Sequence, residues 1–130
     1  MRLNPDCVRG ILLSVEETCT FDTTWDYEFG TFESEYLAEY SHEEILYHIR
    51  QCDRSGFFLA VIYADGGDYV SIQDLSPSGH QFLADIRSDT VWNGVKGIAG
   101  KVGSTSLSAL AQIATNVITA LIKSEFGLSI

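Results

Sequence analysis

Residues 57–75 contain the pattern that most constrains the fold. Two apolar runs, FFLAVIY and YVSIQDL, flank the segment ADGGD. In the second run Val70 and Ile72 alternate with polar residues, which is the period of a half-buried strand. Gly66 and Gly67 can adopt the positive φ angles that a tight turn needs. The segment therefore predicts a β-hairpin, packed on the helix that precedes it.

Residues 41–55 have the pattern of a capped helix. Ser41 and Glu44 have the spacing of a capping box, and Gly56 supplies a stop. The first turn holds two acids, Glu43 and Glu44. The buried side is expected at Ile45, Leu46, Ile49 and Cys52.

The two prolines of the chain mark two further helix starts. Pro5 opens a helix that is expected to reach about Glu17. After the hairpin, Ser76 and Pro77 open another helix, and Gly79 would let it approach the hairpin closely.

A fourth helix is predicted over residues 89–102. Its expected buried side is Val91, Val95, Ile98 and Val102. Glycines recur at every third position, at Gly94, Gly97, Gly100 and Gly103. Because each interior glycine weakens a helix, another backbone is expected to lie close against this row.

The last predicted helix, residues 107–126, carries a wide apolar stripe. Such a stripe must pack on the chain itself or on a second copy. A symmetric homodimer is favoured, with an interface at Leu107, Leu110, Ala114, Val117 and Leu121. Polar residues interrupt the apolar tail, so it is expected to fall short of a bilayer-spanning stretch.

Charge is distributed unevenly along the chain. There are 18 acidic and 8 basic residues, and the net charge is −10. Residues 20–44 contain no Lys or Arg. Their acids are Asp22, Asp26, Glu28, Glu33, Glu35, Glu39, Glu43 and Glu44. A face of one sign repels nucleic acid and anionic membranes and attracts basic protein surfaces, although a merely solvated surface is the alternative.

Aromatic residues are interleaved with these acids between residues 20 and 40. This segment is expected to be a long, partly extended connection, either exposed for protein contact or folded back onto the domain.

Catalytic and metal chemistry find little support in the sequence. The three cysteines have no zinc-ligand spacing, and His42, His48 and His80 lack a paired nucleophile. His48 is expected to be a packing or polar-contact residue. We therefore expect no enzymatic activity, no cofactor and no metal. A cytoplasmic protein of one domain is expected, with a core over 1–88 and a helical extension over 89–130.

Three stretches carry a resemblance to a known family. They are LNPD at residues 3–6, YSHEEILYHIRQ at residues 40–51, and the block DLSPSGHQFLADIRSDTVW at residues 74–92. The chain resembles an uncharacterised family of small phage, prophage and bacterial proteins, known as a domain of unknown function. The resemblance implies an α+β fold of winged helix-turn-helix type, with a β-hairpin wing and extra C-terminal helices. It implies no known activity.

Two binding functions follow from these features. The first is a non-catalytic phage or prophage accessory protein whose acidic face contacts a basic protein partner, such as a host nucleic-acid enzyme. The alternative is a winged-helix transcriptional regulator that reads DNA with Tyr47, Arg50, Gln51 and Arg54. The acidic net charge of the chain disfavours DNA binding, because affinity for phosphates depends on Lys and Arg.

Overall fold

The computed structural model describes residues 1–103 and 105–127. Within these ranges the chain has the α+β composition that the sequence predicts, with five α-helices and one three-stranded antiparallel sheet. The elements are α1 (Pro5–Thr18), β1 (Trp25–Glu28), α2 (His42–Arg54), β2 (Phe58–Ala64), β3 (Tyr69–Leu75), α3 (Pro77–Ile86), α4 (Asp89–Val102) and α5 (Leu107–Glu125). The chain divides into two compact units, one of residues 6–80 and one of residues 1–5 with 81–130. The expectation of one domain stays a prediction.

The predicted hairpin is confirmed. Strands β2 and β3 pair antiparallel, and a short 3₁₀ turn at Asp65–Gly67 joins them. Gly66 and Gly67 have φ angles of 67° and 100°, as the turn requires. Val70 and Ile72 of β3 are fully buried, so the central strand supplies part of the core of this unit.

Strand β1 was not predicted, because it lies in the segment expected to be a connection. It pairs antiparallel with β3, with Trp25 opposite Ile72, so the strand order is β1-β3-β2. Trp25 and Tyr27 are buried, while Asp26 and Glu28 face outward. The alternation of a half-buried strand is present in the sequence, but only over four residues.

The capped helix is also confirmed. The Ser41 hydroxyl oxygen accepts a hydrogen bond from the Glu44 amide at 3.2 Å, and Glu44 Oε1 accepts one from the Ser41 amide at 3.2 Å. Gly56 follows the helix with a φ angle of 79°. Of the expected buried side, Ile45, Ile49 and Cys52 are buried and Leu46 is half-buried.

The start of α3 is fixed to the junction between α2 and β2. The Ser76 hydroxyl donates to the Gly56 carbonyl oxygen and accepts from the Gly79 amide at 3.1 Å. A Cβ atom at Gly79 would collide with the carbonyl oxygen of Phe57, the residue before β2. The close approach predicted at Gly79 is therefore confirmed.

In the second unit α4 packs against α5, but the predicted buried side of α4 is wrong. The buried residues are Trp92, Val95 and Ala99. Of the residues predicted beside Val95, Val91 is half-buried, and Ile98 and Val102 are 40% and 65% exposed. The predicted set and the buried set both have helical spacing, and both contain Val95. The buried set also contains Trp92, and burial of this large side chain removes more apolar surface from water than burial of a valine does.

The expectation for the glycine row of α4 is also wrong. A Cβ atom at Gly94, Gly97 or Gly100 would meet nothing within 4 Å. No described backbone therefore lies close against these glycines, and they face open space. Gly103 ends the helix in the left-handed conformation, with a φ angle of 73°.

Helix α5 is buried mainly near its beginning. By length and composition it is apolar enough to cross a membrane, which corrects the expectation that the tail falls short. Only 17% of its 18-residue apolar stretch is buried. This is weak evidence for a membrane span, because helices of soluble proteins meet the same criterion. The exposed apolar side chains near its end are Leu121, Ile122 and Phe126.

Candidate functional site

A cavity in the unit of residues 6–80 lies against the segment that joins β1 to α2. Its volume is about 670 Å³. We call it the acidic–aromatic cavity. Its lining residues are Tyr27, Glu28, Phe29, Gly30, Phe32, Glu33, Ser34, Glu35, Leu37, Ala38, Tyr40, His42 and Ile45.

A hydrogen-bonded row of three side chains supports one wall of this cavity. The Tyr27 hydroxyl lies 2.5 Å from His42 Nδ1, and His42 Nε2 lies 3.2 Å from Asp68 Oδ1. The geometry is satisfied when His42 Nε2–H donates to the Asp68 carboxylate and Nδ1 accepts from the Tyr27 hydroxyl. It links β1, the start of α2 and the residue before β3.

Aromatic rings form much of the remaining wall. The Phe29 ring centroid lies 4.1 Å from that of His42, and the Phe29 amide donates to the Asp68 carbonyl oxygen at 2.8 Å. The Phe32 ring packs edge-on against Trp25 and tilted against Tyr27, at centroid distances of 5.2 and 5.0 Å. These are ordinary packing geometries for aromatic pairs, so the wall is built from interlocked rings.

The segment that carries the acids is anchored to α1. Trp25 Nε1 donates to the Ser14 hydroxyl oxygen at 2.8 Å, and the Ser14 and Ser34 hydroxyls lie 3.3 Å apart. Leu37 is buried, and the Tyr36 carbonyl lies close to Gly10 of α1. The sequence left open whether the aromatic residues are exposed or fold back onto the domain. Trp25 folds back onto it, because its side chain is buried and bonded to Ser14.

A second cavity, of about 600 Å³, shares part of its wall with the first. Residues 32–35 and Glu28 line both cavities. Its acidic lining residues are Glu17, Asp26, Glu28, Glu33 and Glu35. Neither cavity has a Lys or Arg among its described lining residues, so the field in both is negative.

The eight acids predicted to form one face are therefore placed differently from one another. Glu28, Glu33 and Glu35 come together around both cavities, and Asp26 joins them at the second. Glu44 is occupied in the capping box of α2. The remaining acids are exposed, and they are Asp22, Glu39 and Glu43.

Sequence reasoning did not single out the exposed turn before β1. The Thr20 amide donates to the Thr23 carbonyl oxygen at 3.0 Å, and the Thr20 hydroxyl oxygen accepts from the Thr23 amide at 3.0 Å. Phe21, inside this turn, is fully exposed. The turn holds this aromatic ring in solvent, next to Asp22 in the sequence.

The residues proposed for DNA contact lie on α2. Arg50 and Arg54 are exposed, whereas Tyr47 and Gln51 are half-buried. The Arg50 guanidinium lies 5.6 Å from the centroid of the Tyr63 ring on β2. Arg50 is therefore engaged within the chain.

The expected dimer residues differ in accessibility. Leu107, Leu110 and Ala114 are buried within the chain, Val117 is half-buried and Leu121 is exposed. The first three are therefore covered by the protomer itself.

Two buried titratable side chains of this unit, Tyr27 and His48, are held by hydrogen bonds. Burial, together with the Asp68 charge, raises the pKa of Tyr27, which keeps its hydroxyl protonated. His48 is buried, and its Nδ1 donates to the Glu44 carbonyl oxygen at 2.7 Å, which confirms it as a packing and polar-contact residue. Across residues 1–103 and 105–127, no group of three His, Cys, Asp or Glu residues could hold a metal ion.

Fold and site together define a class: an α+β protein with a β1-β3-β2 sheet and an acidic–aromatic cavity beside its short edge strand. The chain belongs to the family described as hypothetical protein (DUF2513), whose family model matches residues 2–106. The matched residues include all those that line the two cavities. All of α5 lies beyond them.

A relative is found in Haemophilus influenzae (strain ATCC 51907 / DSM 11121 / KW20 / Rd). It is described as an uncharacterized protein and is 29% identical to this chain over 124 residues, which cover 94% of this chain and 99% of the relative. No solved structure matches the chain significantly.

Proposed function

We propose that this chain is a non-catalytic accessory protein of phage or prophage type, which binds a basic surface of another protein. The proposal is carried by the two adjoining cavities, which share Glu28, Glu33 and Glu35 and have no Lys or Arg among their described lining residues. The acids of such a wall attract a basic surface, whereas they repel a phosphate backbone. The exposed Phe21, which precedes Asp22 in the sequence, offers a separate apolar contact area beside an acid.

We further propose that the fold is a variant of the winged helix. Supporting this are the element order α1, β1, α2, β2, β3 and the pairing of β1 with β3. The variant has turns over residues 35–39, before α2, where a helix-turn-helix would have its first helix. Such an arrangement leaves α2 without the partner helix that positions a reading helix on the DNA backbone.

DNA binding is the second candidate function, because Arg50 and Arg54 are exposed on one side of α2. Against it, the first turn of the same helix holds Glu43 and Glu44. Two carboxylates at that turn would face phosphates or base edges and repel them. Protein binding therefore ranks first.

The test is capture of partners from a nuclease-treated bacterial lysate, at about 50 mM and about 300 mM salt. Two variants neutralise two acids each and change the net charge equally. Glu33→Gln with Glu35→Gln removes charge from the cavities, and Asp65→Asn with Glu125→Gln removes it from exposed positions elsewhere. We expect a protein partner that survives nuclease treatment, is lost at high salt and is lost from the cavity variant alone.

The competing function has its own readout. Fluorescence anisotropy with random and selected duplex DNA measures DNA binding directly. Tight, sequence-specific binding that is abolished by Arg50→Ala with Arg54→Ala, together with no nuclease-resistant partner, would reverse the ranking.

A further inference from the structure

We propose that the acidic–aromatic cavity binds one arginine side chain of the basic partner. This inference rests on the proposed function and names the group that the site recognises.

Negative charge at the cavity wall is the first requirement for a cationic guest. Glu28, Glu33 and Glu35 line the cavity, and all three are exposed to solvent and able to turn toward a guest. Carboxylates on the wall of one cavity also suit the forked donors of a guanidinium group, which can bind two oxygens at once.

Aromatic faces supply the second requirement. Four aromatic residues, Tyr27, Phe29, Phe32 and Tyr40, line the same cavity. A cation over an aromatic face is attracted by the ring quadrupole, and arginine uses this contact more often than lysine. The Phe29 side chain is 56% exposed although it packs on His42, so much of its ring surface remains open to a guest.

The cavity is also held in shape before a guest arrives. The row Tyr27–His42–Asp68 fixes β1 to the start of α2, and the Ser14–Ser34 contact fixes the acidic segment to α1. A site whose walls are already ordered loses less conformational entropy when it binds. The volume of about 670 Å³ has room for an arginine side chain with its flanking backbone.

Planarity and charge together separate arginine from other guests. A lysine ammonium satisfies the charge but does not lie flat against a ring, and a citrulline side chain has the shape of arginine without its charge. An apolar side chain would contact the rings and leave the carboxylates without a cationic partner. The guest chemistry is therefore defined by a planar cation.

The experiment is a titration of the ¹⁵N-labelled full chain with three blocked tripeptides, Gly-Arg-Gly, Gly-Lys-Gly and Gly-citrulline-Gly, followed by amide chemical shifts. We expect saturable shifts confined to residues 27–45 with the arginine peptide, binding about tenfold weaker with citrulline and about threefold weaker with lysine.

Variants locate the binding. Phe29→Ala, and separately Glu33→Gln with Glu35→Gln, should each weaken arginine binding by about threefold to tenfold. The matched control Asp65→Asn with Glu125→Gln should leave it unchanged. Amide spectra of every variant establish that the fold is retained before affinities are compared.

Two results overturn the inference: equal affinity for arginine and citrulline, or shifts spread over the acidic surface that the cavity variants do not change. Its failure is distinguishable from failure of the proposed function. A partner captured through Glu33 and Glu35 without arginine-peptide binding removes this inference alone, whereas arginine-peptide binding without any captured partner supports it and removes the proposed function.

Discussion

The carbonyl oxygen of Tyr36 lies 2.9 Å from the position that a Cβ atom would occupy at Gly10. Gly10 is in the middle of α1, where alanine is normally the better helix former. We expect Gly10→Ala to destabilise the protein by about 1–3 kcal/mol, because the Tyr36 backbone must move. Urea unfolding followed by circular dichroism measures the change.

The matched control is Gly97→Ala in α4, where the new Cβ meets nothing within 4 Å. This substitution should stabilise by about 0.5–1 kcal/mol, as expected for an open helical position. Equal effects at the two glycines would contradict the close approach at Gly10.

Removal of the Tyr27 hydroxyl should weaken the wall of the cavity. Tyr27→Phe keeps the buried ring and deletes the hydrogen bond to His42, at a cost of about 1 kcal/mol. Tyr69→Phe is the control, because the described residues give its hydroxyl no hydrogen-bond partner. The thermal unfolding midpoints of the two variants are measured in parallel. An unchanged midpoint for Tyr27→Phe would show that this hydrogen bond does not stabilise the protein.

Alkaline pH should destabilise the chain through its buried thiols. Burial, with the charges of Glu44 and Glu39, raises the pKa of Cys7 from 9.0 to about 12. Below pH 9 the thiol is protonated in both states, so its contribution is fully present. Between pH 9 and 12 the unfolded chain releases this proton and the folded chain keeps it, so stability falls as pH rises.

The Cys7→Ala variant isolates this effect. It should reduce the pH slope of unfolding free energy above about pH 9 by roughly 1.4 kcal/mol per pH unit, the value for one proton. Burial raises the pKa of Cys52 in the same direction, so part of the slope remains. Urea unfolding at several pH values checks this, and parallel slopes for the wild type and the variant would contradict it.

Self-association is still a prediction, and the structure says which residues test it. Leu110→Glu would place a charge in the protomer's own core, so it cannot separate dimerisation from folding. Leu121→Glu with Ile122→Glu changes exposed apolar positions instead. Light scattering should give a dimer for the wild type at micromolar concentration and a monomer for this variant.

The control for self-association is Thr115→Glu with Asn116→Glu, at two exposed polar positions of α5. It adds the same charge and should leave the dimer intact. A wild type that is monomeric at micromolar concentration would contradict the prediction that α5 forms a dimer interface.

The parts of the fold that sequence reasoning found are those with local causes. The capping box at Ser41, the turn glycines Gly66 and Gly67 and the helix starts at Pro5 and Pro77 act over a few residues, so they can be read directly. The hairpin and the helix boundaries follow from them.

The parts that it missed depend on distant residues. Strand β1 exists because Ile72, far along the chain, offers it a pairing edge, and four residues alone give too little pattern. The buried side of α4 contains Trp92. Trp92 and the valines of this helix all have helical spacing to Val95, so spacing alone did not show which set is buried. The cavity was beyond prediction for the same reason, since the alternation of acids and rings in residues 25–35 does not reveal which of them fold inward.

The pairing of Trp25 with Ile72 also sets an order of events during synthesis. As the chain leaves the ribosome, β1 is made early but has no strand to join until the hairpin has been completed. Local contacts let β2 and β3 form without it. The segment that lines both cavities is therefore ordered only after the hairpin, and the cavities exist only on chains whose sheet is already finished.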